Sequence, residues 1–172
     1  MKKQFGWLIT VLIMSFVLSI GMSFLSEGLI PKINVLLGIL IILIFIFISV
    51  IFDMIGVAIT AQDETPFNSM ASKKIKGSSH SVKLIKNSDK LASICCDVVG
   101  DVCGVVSGSA GMMVAASLVN HIKINPSLLV LLVTSIIASL TITSKAFGKT
   151  IAIKNSKSIT EKVGKVIHIF KK

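Results

Sequence analysis

The chain has 172 residues, of which 53% are hydrophobic and only 15% charged, and a formal net charge of +10 at pH 7. That balance excludes a soluble core of ordinary composition and places the chain with integral membrane proteins, so the bilayer is the solvent in which its helices are judged. All eighteen basic residues are lysines, and with no aromatic-interleaved basic motif they point to topology and anionic lipid, not to nucleic acid.

Trp7 to about Leu25 forms a first apolar run behind Lys2 and Lys3 and ends at Ser26, Glu27 and Gly28. Residues 1–28 read as a membrane anchor. The competing reading is a cleaved signal peptide, although the run exceeds the roughly 7 to 15 residues of a usual signal core. After Pro31 and Lys32, Asn34 is placed to cap a second helix from Val35 to about Thr60, in which LLGILIILIFIFISVIF is almost unbroken. A polar stretch follows. Within it Phe67, Met70, Ala71 and Ile75 share one helical face, which Val82 and Ile85 continue beyond Gly77. This is the pattern of amphipathic helices on a membrane surface, here over residues 64–90; a solvated linker is the alternative.

A third span is expected from about Ala92 to Val119, then a turn from His121 to Asn125. Asn125-Pro126 supplies a cap and first-turn pair for a fourth span ending near Ser144 or shortly after. Two lysines precede the first span, six lie from Lys73 to Lys90 and eight from Lys145 to Lys172, while the opposite loops hold only Lys32 and Lys123. The positive-inside bias therefore puts both termini and the central segment in the cytoplasm. The expected fold is all-α: a multi-pass helical bundle of the cell membrane with four transmembrane helices and juxtamembrane amphipathic helices on the cytoplasmic side. A basic tail at 161–172 lies on membrane lipid or binds a soluble partner.

The third span contains CDVVGDVCGVVSGSAG, residues 96–111. Asp97 and Asp101 are four apart and project from one face. Gly100, Gly104 and Gly108 form an adjoining stripe that permits close helix approach. An Asp near a helix centre costs roughly 2.5 to 3.5 kcal/mol on insertion scales, so this helix faces protein or a hydrated cavity. Asp97 lies nearer the helix entry, where snorkelling is easier. In the second span Ser49, Asp53, Gly56 and Thr60 share one face; in the fourth, Thr134, Ala138, Thr141 and Lys145 do the same. Carboxylates, hydroxyls and backbone carbonyls are hard oxygen donors suited to Mg²⁺ or Ca²⁺. The bland reading of the same residues is helix packing, with the aspartates paired to lysines. Cys95, Cys96 and Cys103 show no ligand or disulfide spacing and read as small packing residues. His80, His121 and His168 lie apart and no nucleophile has a neighbouring base, so an enzyme is not expected.

The order of these pieces resembles the transmembrane domain of the CNNM/CorB/CorC family of magnesium transport proteins. SVIFDMIGVAIT, residues 49–60, is similar to that family's first helix; NSMASKKIKG and KLIKNSDKLAS resemble its surface-helix region. VVGD, ending at Asp101, stands where the family has a Gly-Asn pair, and GKTIAIKNS, from Gly148, resembles the stretch after its last span. The resemblance covers about residues 36–160, within a domain taken as 34–160. In the family's pattern Asp53 replaces a hydroxyl, Gly56 an acidic residue, Asp101 an Asn, Lys145 a Glu and Gly148 a Pro.

The resemblance implies a homodimer that transports a divalent cation, Mg²⁺ first, through a cavity lined by Ser49, Asp53, Gly56, Asp101 and Ser107. Lys145, with Asp97, is a candidate gate or ion-pair element. Two readings of the substitutions stand side by side: a stronger-field cation site, or an internal ion pair of Lys145 with the carboxylates. The second would suit a non-transporting scaffold or accessory subunit that binds a separate protein partner.

Overall fold

The computed structural model describes residues 2–29, 34–119 and 125–170. Among these residues the fold is all-α, without strands. Four helices are long and apolar enough to cross a membrane: α1 (Lys2–Leu29), α2 (Val35–Thr60), the continuous helix Ser88–Leu118, and α7 (Pro126–Lys154). The third of these is made of α5 (Ser88–Ala92), a π-helical segment (Ser93–Asp101) and α6 (Val102–Leu118). Three shorter helices, α3 (Glu64–Ser72), α4 (Ser78–Lys86) and α8 (Ser156–Phe170), complete a multi-pass membrane bundle.

The central helix is α2. Its buried residues Gly38, Ile42, Ile46, Ser49, Asp53 and Gly56 recur every three or four positions and form one stripe. That stripe meets α6, α7 and the π segment. Its apolar half closes a core with Ala110 and Val114 of α6, while its other half carries Ser49 and Asp53. Leu36, Leu40 and Phe47 lie on other faces of α2 and are exposed, as lipid-facing side chains are. In contrast, the window 6–24 of α1 contains no buried residue; this helix rests from outside against α6 and the π segment.

The helix ends differ in part from expectation. Asn125 caps α7 as anticipated, its side-chain oxygen accepting from the Ser127 N–H at 3.1 Å. Asn34 stands at the start of α2 but makes no side-chain cap bond; it contributes its carbonyl, which accepts from the Gly38 N–H at 3.0 Å. The fourth span does not stop near Ser144 but runs ten residues further to Lys154. The reason is packing: Gly148 lets α7 approach α2 so closely that an added methyl would lie 2.8 Å from Val50 Cγ1. The expected turn at His121 lies outside the described residues.

The polar stretch after α2 is a folded layer and not a loose linker. Phe67, Leu84 and Ile85 are buried, whereas Ile75 falls in the turn between α3 and α4 and is exposed. Residues 161–170 continue α8, which is docked through Ser156, Thr160 and Gly164. These small residues at four-residue spacing bring α8 onto α4 and α2. Ser81 Oγ donates to the Thr160 carbonyl at 3.2 Å, and Gln62 Nε2 donates to Ser156 Oγ at 2.5 Å.

Candidate functional site

Asp53 lies two turns before the end of α2, about 10 Å along the helix from Thr60, and is 2% exposed. A carboxylate in such a place needs partners, because desolvation is otherwise uncompensated. Two lysines of α7 supply them. Lys145 Nζ is 3.9 Å from Asp53 Oδ1 and 2.8 Å from Asp101 Oδ1; Lys149 Nζ is 3.6 Å from Asp53 Oδ2. Lys145 is itself largely enclosed, its side chain 15% exposed, while those of Asp101 and Lys149 are 68% and 51% exposed. The group is therefore graded, from a buried carboxylate through a half-enclosed ammonium to an open rim.

Gly100 makes room for it. A methyl there would lie 2.7 Å from Asp53 Oδ1 and 3.6 Å from Lys145 Nζ, so only glycine leaves the carboxylate and the ammonium side by side. The Gly100 carbonyl accepts a hydrogen bond of 2.6 Å from Ser49 Oγ, tying α2 to the third span. Gly100 and Asp101 close the π segment. A π turn shifts register relative to an α-helix, a disturbance that recurs at functional sites. Here it sets where Asp101 leaves the helix.

The structure thus brings together Asp53, Asp101 and Lys145, with Ser49 buried one turn before Asp53 and its hydroxyl donating to the Gly100 carbonyl. It does not bring the other expected residues to the carboxylates. Gly56 is a packing position, since a methyl on it would meet Cys96 Sγ at 2.5 Å and Cys95 Cβ at 3.3 Å. Ser107 is buried but directs its hydroxyl to the Gly104 carbonyl of its own helix at 2.8 Å. Asp97 is exposed and forms no ion pair within 4 Å among the described residues. Lys149 was not anticipated from the sequence; the available signal was its position one turn beyond Lys145, on the same face of a helix that continues through Gly148.

Chemically, two carboxylates face two ammonium groups, and the local charge sums to zero. Among the described residues no group of three or more His, Cys, Asp or Glu side chains is placed to hold a metal ion. Divalent cation binding here would have to combine the two carboxylates with hydroxyls, carbonyls and water, and would have to compete with Lys145.

A family model described as the cyclin M transmembrane N-terminal domain matches residues 39–172, which leaves α1 outside the matched stretch. No curated protein and no solved structure matches the chain.

Proposed function

The chain belongs to the cyclin M transmembrane domain family, and on that premise we propose that it binds and moves a divalent cation, Mg²⁺ first, at Asp53 and Asp101, with Lys145 holding the place of the cation between transport events. The observation that supports this reading is the Lys145 ammonium set between the two carboxylates. Mg²⁺ is dehydrated reluctantly and is usually held by one or two carboxylates plus waters, a set that Asp53, Asp101 and the Ser49 hydroxyl offer once Lys145 swings away. The lysine-rich layer of α3, α4, α5 and α8 faces the cytoplasm of the cell membrane, following the lysine bias between loops.

Saturable stabilisation by Mg²⁺ tests the proposal, because a ligand that binds the folded state raises apparent stability by mass action. The purified full chain is expected to show a higher unfolding temperature with Mg²⁺ at fixed ionic strength, and Asp53→Asn and Asp101→Asn are each expected to abolish the rise. A response retained in both variants would remove these carboxylates from the site. A second reading is favoured by the charge balance itself: four paired groups with no net charge suit a non-transporting scaffold or accessory subunit, for which no cation would act and another chain would co-purify.

The reading includes a homodimer. On the third span Asp101 is 68% exposed, and a methyl on Gly108 would meet nothing within 4 Å. An aspartate and a bare glycine on one helix side avoid lipid and suit another protein surface, here a second copy. Gly108→Phe is expected to convert a dimer to a monomer in light scattering of the detergent complex. A dimer of unchanged mass would place the interface elsewhere.

A further inference from the structure

At the lysine-rich end of the bundle, α1, α4, α5 and α8 leave a cleft of about 400 Å³ whose rim carries Trp7, His80, Lys83 and Lys90. Below it a second, almost wholly apolar groove of about 680 Å³ runs between α1 and the π segment, past Ile13, Val17, Gly21 and Val98. Ile94 lines both, so the two adjoin. We propose that this combined cleft binds one anionic phospholipid, with its phosphate on Lys83 and Lys90 and an acyl chain lying along α1.

Three observations support this occupant. First, neither Lys83 nor Lys90 forms an ion pair within 4 Å among the described residues, and both are exposed. Asp89, the acid beside Lys90 in sequence, makes no such pair either. Two unneutralised ammonium groups at the end of two membrane spans complement a headgroup with net negative charge, and do so less well for a zwitterionic one. Second, Trp7 stands in the first turns of α1, where tryptophan sits at headgroup level, and Lys90 Nζ lies 5.4 Å from its ring centroid, which holds the ammonium at the rim. Third, the groove begins where the rim ends. From Trp7 to Gly21 the helix rises about 21 Å, enough to flank an acyl chain through one half of a hydrocarbon core roughly 30 Å thick. A free phosphate would use the rim but not the groove. One wall of the groove is α1, which lies outside the family match.

The test measures the unfolding temperature of the full chain in detergent against added phosphatidylglycerol, phosphatidylcholine and inorganic phosphate at constant ionic strength. Phosphatidylglycerol is expected to stabilise the protein saturably, and the other two are not. Lys83→Gln with Lys90→Gln should weaken the apparent affinity about tenfold or more. Lys73→Gln with Lys76→Gln removes equal charge away from the cleft and should leave it unchanged. Gly21→Phe should also weaken it, because a side chain on Gly21 meets no protein atom within 4 Å of its Cβ and enters the open groove. Equal stabilisation by phosphatidylcholine, or equal loss in the Lys73/Lys76 control, would reduce the effect to general lipid or charge attraction and overturn the proposal. Inorganic phosphate acting as well as phosphatidylglycerol would overturn it too, leaving only a small-anion site.

Discussion

Lys145→Gln is expected to lower the stability of the metal-free protein and, in the same molecule, to strengthen its response to Mg²⁺. Removing one member of a buried ion pair costs about 3–5 kcal/mol, mostly because the other charge is left unpaired. The loss here should lie at the lower end of that range, about 3 kcal/mol, since Asp53 keeps Lys149 at 3.6 Å. The substitution also changes the local sum from zero to one negative charge, which favours a dication. An Asp53→Asn, Lys145→Gln double variant should recover part of the stability and lose the Mg²⁺ response, because neither uncompensated charge remains in the buried part of the site. Thermal unfolding in detergent with and without Mg²⁺ reads both effects. If Lys145→Gln is as stable as the native chain and no more sensitive to Mg²⁺, the ammonium does not hold the place of a cation, and the scaffold reading gains.

The second large effect concerns the layer that closes the lysine-rich end. Gly77 has φ +86°, a left-handed conformation that a residue with a Cβ adopts at a cost of roughly 1–2 kcal/mol. Its added methyl would lie 2.8 Å from the Lys165 nitrogen and 2.9 Å from the Lys165 Cα. Those are backbone atoms of α8 and cannot swing aside, so overpacking adds about 1–3 kcal/mol. Gly77→Ala should therefore undock α8 while the spans stay in place. Trypsin reports this directly, because Lys157, Lys162 and Lys165 lie on α8: cleavage there should become much faster. Gly6→Ala, where the methyl meets nothing within 4 Å, should cut at the native rate. Native protection in Gly77→Ala would mean that α8 is held by other contacts.

Both results depend on features that hydropathy only half discloses. The apolar runs of α1, α2, the third span and α7 are legible because the free energy of placing a side chain in hydrocarbon is local and nearly additive along a helix. The need of Asp53 for protein surroundings follows from the same rule. The amphipathic pattern of the polar stretch is legible too, but its face, expected on the membrane surface, buries Phe67 and Ile85 within the protein. Ile75 is not buried, because the chain turns between Lys73 and Gly77 and periodicity does not survive a turn. Of the Gly100, Gly104 and Gly108 stripe, Gly100 makes a close approach within the chain, while a methyl on Gly104 would reach only Thr141 Cγ2 at 4.0 Å. The tightest contacts elsewhere are at Gly164 against Ser81 of α4 and at Gly111 against Ile137 of α7.

By itself, then, the sequence determined an all-α membrane bundle of four spans, its lysine-rich end, and a pair of aspartates set within apolar helices, where they require partners. Only the tertiary structure decided who those partners are. Whether Lys145 reaches Asp53 depends on α7 staying helical past Ser144, on the clearance left by Gly148 and Gly100, and on the π register that positions Asp101. These are rotations and offsets between helices. Apolar side chains gain nearly the same transfer energy at any rotation toward lipid, so composition does not encode the register, which is set by the close packing of small residues and by the buried charges it must pair.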